Sequence, residues 1–71
     1  MKIVFTKHAR KRLMERLISV EHIYLILEKP DAINRTFDNK FVARKEFPKG
    51  DIEVVFTRER DKITVITVYY P

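Results

Sequence analysis

The spacing of hydrophobic positions changes only a few times along the chain, and each change marks an element. Residues 2–5, Lys-Ile-Val-Phe, are too few and too branched for a helix and predict a strand. Thr6 ends it and offers a hydroxyl to cap a helix over residues 7–17. At 100° per residue, Ala9, Leu13, Met14 and Leu17 fall on one side of that helix, with Lys7, Lys11 and Glu15 opposite. Ser19 caps a second helix that reaches about Lys29, with Glu21 in the first turn, where the helix dipole favours a negative charge. Val20, Ile23, Tyr24 and Leu27 share its apolar face, Leu25 and Ile26 widen it, and Pro30 forbids continuation. Ile18 and Ser19 alone separate the helices, which predicts a helical hairpin.

From residue 32 the period falls to two, giving four strands within residues 32–37, 40–47, 51–59 and 62–70. Turn residues punctuate them at Asp38-Asn39, Pro48-Lys49-Gly50 and Arg60-Asp61. Loops this short join antiparallel neighbours, so the chain reads as one α+β domain over residues 1–71, in two layers, with the order β-α-α-β-β-β-β. Pairing across the turns sets Phe56 opposite Val65, Val54 opposite Thr67 and Ile52 opposite Tyr69; across the glycine turn, Phe47 faces Ile52 and Ala43 faces Phe56. That face is expected to meet the helices, in a core of Leu13, Leu17, Ile23, Leu27, Val54, Phe56 and Val65. The opposite face then carries Arg44, Glu46, Glu53, Thr57, Thr64 and Tyr70 around an apolar centre of Val42, Val55, Ile66 and Val68. A sheet face turned to water alternates more cleanly than this, which makes Val42, Val55, Ile66 and Val68 candidates for binding a protein partner or a second copy.

Composition narrows the chemistry. The 71 residues contain no cysteine and two histidines, which excludes disulfides and thiol catalysis and points to neither a metal nor a cofactor. No stretch approaches the roughly 20 apolar residues of a membrane span, and the basic opening residues lack a signal-like apolar run, so a cytoplasmic protein away from membranes is expected. A net charge of +5 favours polyanionic partners. The charged fraction of 35% with a single glycine would equally suit a heat-adapted protein.

The sharpest constellation is His8, Arg12 and Arg16, spaced i, i+4, i+8 along the border of the first helix. Two guanidiniums can hold phosphates bidentately, and the positive surroundings favour a neutral imidazole that accepts a proton. The competing reading lays both arginine stems over the core edge, paired with Glu15, Glu46 or Glu53, and leaves His8 as an ordinary first-turn residue. Arg44, on the open face, suits either a phosphate or an ion pair with Glu46 or Glu53. Arg58 and Arg60 lie near a strand end and turn, where exposed charge is ordinary. His22 is read as solvated, Tyr69 as core, and Tyr70 as an open-face residue that can stack on a base or donate a proton.

The segment Phe5-Thr6-Lys7-His8-Ala9-Arg10, with Arg12, Arg16 and the Ile18-Ser19 opening of the second helix, precedes strands built on Val54-Val55-Phe56 and Val65-Ile66-Thr67. Together these resemble small uncharacterised relatives of the RelE/ParE-like toxins, including the BrnT branch, over nearly the whole chain. The resemblance implies a two-layer RelE-like fold with an antiparallel sheet in the order 1-5-4-3-2 and the helical hairpin on one face. It also implies a toxin of a type II toxin–antitoxin-like system, acting on free or ribosome-bound RNA as a metal-independent endoribonuclease and met by an antitoxin or a second copy on the open face. His8, Arg12, Arg16 and Tyr70 would be catalytic, with Arg12, Arg16 and Arg44 on phosphate. Against the pattern, no further helix or tail follows Tyr70-Pro71, where several such toxins place a catalytic residue. The alternative is a non-catalytic module that binds a protein through the open sheet face.

Overall fold

A computed structural model describes residues 1–71. In chain order the elements are β1 (Lys2–Phe5), α1 (Lys7–Arg16), α2 (Val20–Glu28), β2 (Ala32–Arg35), β3 (Phe41–Phe47), β4 (Gly50–Glu59) and β5 (Lys62–Tyr69). The five strands form one sheet in the order β1-β5-β4-β3-β2. The last four are an antiparallel meander, but β1 lies parallel to β5, pairing Lys2 with Lys62 through Phe5 with Val65. The sheet is therefore mixed, not antiparallel throughout. Alternation of side chains is the same read in either direction along a strand, so periodicity carried no information on the direction of β1.

Both helices cover one face. Ala9 and Leu13 of α1, Ile18 between the helices, and Ile23 and Ile26 of α2 close a core against Ala43, Ile52, Val54, Phe56, Ile63, Val65 and Val68. Of the core expected from sequence, Leu13, Ile23, Val54, Phe56 and Val65 are buried and Leu27 packs at the margin, but Leu17 is 82% exposed. The cause is local. Helix α1 stops one residue early, and Leu17 takes the left-handed conformation, φ 54° and ψ 44°. The Ile18 N–H then turns back to the Leu13 carbonyl at 3.0 Å, closing the helix end and drawing Ile18 into the core in place of Leu17. Met14, on the side of α1 expected to be apolar, is 79% exposed.

Two departures in strand register have opposite consequences. The β3–β4 turn is tighter than the sequence suggested, pairing Phe47 with Gly50 and Ala43 with Val54. Its two-residue loop, Pro48-Lys49, is followed by Gly50 at φ 130°, a conformation open chiefly to glycine. Relative to the sequence reading this is a slip of two residues, which leaves every side chain on its face. Between β4 and β5 the expected pairing of Phe56 with Val65 holds, but a bulge shifts the ladder by one at Val55/Phe56, so that Val55 meets Thr67, Val54 meets Val68 and Glu53 meets Tyr69. A shift of one exchanges faces. Val68 is fully buried under the helices and leaves the set of open-face residues, Tyr69 emerges on the open face, and Tyr70 follows on the helix side.

Thr6 secures this bulge. Its hydroxyl accepts the Ala9 N–H at 3.0 Å as the α1 cap and donates to the carbonyl of Ile66, the unpaired residue of the bulge, at 3.0 Å. One side chain therefore starts α1 and satisfies an acceptor that the ladder leaves free.

Candidate functional site

Helix α1 carries Lys7, Arg10, Lys11, Arg12 and Arg16 against the single carboxylate of Glu15, so +4 of the chain's net +5 sits on ten residues. Its buried side is only Ala9 and Leu13, which leaves most of its circumference free for charge. Of the five cations only Arg12 is in an ion pair: its Nη1 donates to Glu15 Oε1 at 2.6 Å, and that bond holds the Glu15 carboxyl below the usual range. Arg12 Nε points instead to His8 Nε2, 3.4 Å away, with the imidazole as acceptor. His8 and Arg12 thus form a joined pair with Glu15 behind the arginine. This is the carboxylate pairing that sequence offered as the competing reading for Arg12, and it coexists with the His8 contact.

The remaining residues of the constellation are placed apart. Tyr70 Oη donates to the Arg16 carbonyl at 3.4 Å, which brings the end of β5 to the last turn of α1. Arg16 lies one helical turn, a rise of about 6 Å, beyond Arg12 and two turns, about 12 Å, beyond His8, and Tyr70 meets its backbone carbonyl, not its guanidinium. Arg44 alternates with the buried Ala43 and therefore emerges on the sheet face away from the helices, where its Nε lies 3.9 Å from Asp51 Oδ2. It joins neither helical pair, and its ionic partner is Asp51 where the sequence reading named Glu46 or Glu53. Glu53 instead accepts a 2.7 Å hydrogen bond from Tyr69 Oη, which raises the tyrosine pKa above its ordinary 10.0; partial burial and the carboxylate charge add to the shift.

On the open face Val42 pairs with Val55 and Val55 with Thr67, all partly exposed, with Ile66 beside them. No helix covers these residues. Of the four positions expected there, Val42, Val55 and Ile66 remain, without Val68.

Sequence reading missed one feature, at the other end of the helical layer. His22 is not merely solvated. Its Nδ1 accepts the Ser19 N–H at 3.2 Å while Ser19 Oγ accepts the His22 N–H at 3.3 Å, a reciprocal cap of α2. The imidazole edge also meets the Phe47 ring at 4.9 Å between centroids and 82° between planes. The Ser-x-x-His spacing was the available signal, because an acceptor three residues after a capping serine can close such a box. A groove of about 240 Å³ opens here, bounded by Leu17, His22, Phe47, Pro48, Lys49, Ile52 and Tyr70. No group of His, Asp or Glu side chains in the chain is arranged to hold a metal ion. No helix is long and apolar enough to cross a membrane.

No curated protein and no solved structure matches the chain. A domain of unknown function, DUF4258, matches residues 5–70, which takes in both helices, all of β2–β5 and every residue of the two helical pairs, and the chain belongs to that family.

Proposed function

We propose that this domain is a toxin of the RelE/ParE kind, from a type II toxin–antitoxin-like system, that acts on RNA as a metal-independent endoribonuclease. The observation that carries it is the concentration of charge on α1, +4 over ten residues with one ion pair, which suits a polyanionic backbone. The sheet order of 1-5-4-3-2 under a helical hairpin agrees with the fold that the sequence resemblance implied. In the proposed reaction the ribose 2′-oxygen bonds to the adjacent phosphorus as the bond to the 5′-oxygen breaks, and the departing 5′-oxygen takes a proton from solvent water, leaving a 2′,3′-cyclic phosphate and a 5′-hydroxyl. His8 Nε2 exchanges its contact with Arg12 for the 2′-hydroxyl proton, and Arg12, still paired with Glu15 through Nη1, offers the released Nε–H to the phosphate oxygens. Arg16, one helical turn beyond Arg12, offers a second guanidinium to the RNA backbone, with Tyr70 held at its carbonyl.

Induced expression of the wild type should arrest growth, and purified protein should cleave RNA alone or on ribosomes. His8→Ala should retain RNA affinity and lose roughly a hundredfold to ten-thousandfold in cleavage rate. A wild type that neither arrests cells nor cuts RNA under either condition would remove this proposal. The second reading would then stand: a non-catalytic module, favoured by the uncovered apolar row of Val42, Val55 and Ile66, that binds an antitoxin-like protein or a second copy through the open face.

A further inference from the structure

The groove at the end of the helical layer has an apolar lining and two specific polar groups. Phe47, Ile52 and the exposed Leu17 provide apolar walls, and Tyr70, 40% exposed, adds an aromatic face whose hydroxyl is already engaged by the Arg16 carbonyl. His22 supplies direction. Because its Nδ1 accepts from the Ser19 backbone, the neutral ring carries its proton on Nε2, the nitrogen not used by the cap, and this donor belongs to a groove-lining residue. Lys49, at the tip of the two-residue turn, has no carboxylate partner. A flat ring with acceptor atoms on its edge and a negative charge beside it matches this lining. Alongside runs α1, whose cationic stripe ends at Arg16, next to the tyrosine.

We propose that this groove seats one base of a single-stranded RNA, stacked on Tyr70 and hydrogen-bonded to His22 Nε2, with the adjoining phosphate on Lys49; the inference rests on the reading of α1 as an RNA-phosphate surface. Charge complementarity selects this occupant over an apolar peptide, since the lining holds one unpaired cation, Lys49, and a ring N–H donor on His22. A volume of about 240 Å³ leaves room for a base without requiring the fold to open.

The test uses the full chain and two probes, a single-stranded RNA hexamer and the same hexamer without bases. Base stacking is worth about 1–3 kcal/mol, so Tyr70→Ala should weaken binding of the RNA hexamer roughly 5- to 150-fold, while Tyr70→Phe keeps the ring and restores it. Lys49→Ala should weaken both probes alike, and the base-free hexamer should not distinguish Tyr70→Ala from the wild type. Equal loss on both probes in Tyr70→Ala, or no loss on either, overturns the base seat. If Arg12→Ala weakens RNA binding while Tyr70→Ala and Lys49→Ala do not, the groove proposal fails and the α1 reading survives. If the wild type binds neither probe, both fail together.

Discussion

Single side chains in this domain perform work that their sequence neighbours conceal. Tyr69 is one: a shift of one in the ladder turns it from the core to the open face, where Glu53 accepts its proton-bearing oxygen. Its pKa is raised in the folded state, so the contribution is fully present below the unfolded value near 10.0 and is lost as pH climbs through the folded one. Stability should therefore decline above about pH 10, and Tyr69→Phe should flatten that decline in denaturant titrations across pH. Gly50 is another. A Cβ placed there meets nothing within 4 Å, so space is not the constraint; the backbone at φ 130° is. Gly50→Ala should cost about 1–3 kcal/mol, read as a lower midpoint in denaturant with an unchanged slope. Leu17 shows the converse, a branched residue held at φ 54° because the Ile18 bond to Leu13 closes α1 there.

Among the elements, β5 decides the faces. Its extra residue, Ile66, places Thr67 beside Val55 and sends Val68 under the helices. Lys substituted for Val68 should abolish folding because it would bury a charge without a partner, whereas Lys at Val55 or Ile66 should leave a cooperatively unfolding domain. Circular dichroism melts of the three variants separate the two faces. The bulge also depends on α1, since Thr6 caps the helix and bonds the Ile66 carbonyl; Thr6→Ala should cost about 1–3 kcal/mol, more than an isolated cap, with Thr6→Ser recovering most of it. These relations explain what the sequence could disclose. Helix and strand positions followed from period, and the antiparallel turns from Asp38-Asn39, Pro48-Lys49 and Arg60-Asp61. The tighter turn before Gly50 was misjudged by two residues without harm, because parity kept Ala43, Ile52 and Val54 inward. The bulge was misjudged by one, and Val68, Tyr69 and Tyr70 all changed sides. Nothing in Val65-Ile66-Thr67-Val68 distinguishes a continuous strand from a bulged one, since every residue there is branched at Cβ. The candidate site was legible on α1 alone, where helical spacing brings His8 to Arg12. The remoteness of Arg44 and the closeness of Tyr70 to Arg16 depend on tertiary register.

For the molecule as a whole, charge and core are divided between layers: α1 carries +4 on its outer surface, while the sheet supplies seven of the twelve buried core residues. Binding to RNA should therefore respond to salt chiefly through α1, and removing Arg10 and Lys11 together should reduce the magnitude of the slope of log affinity against log salt by about 1.4 for a single strand, without altering thermal stability. Phe56 lies at the centre of the sheet, and Phe56→Ala should cost about 3–5 kcal/mol, most of what a domain of this size possesses. The parallel contact of β1 with β5 joins residues 2–5 to residues 62–65 and so spans nearly the full length of the chain. During synthesis the first strand has no neighbour in the sheet until β5 emerges from the ribosome, whereas the apolar side of the helical hairpin can already rest on Ala43, Ile52, Val54 and Phe56. Closure of the sheet at β1 therefore waits on the synthesis of β5, although β1 is the first element to be made.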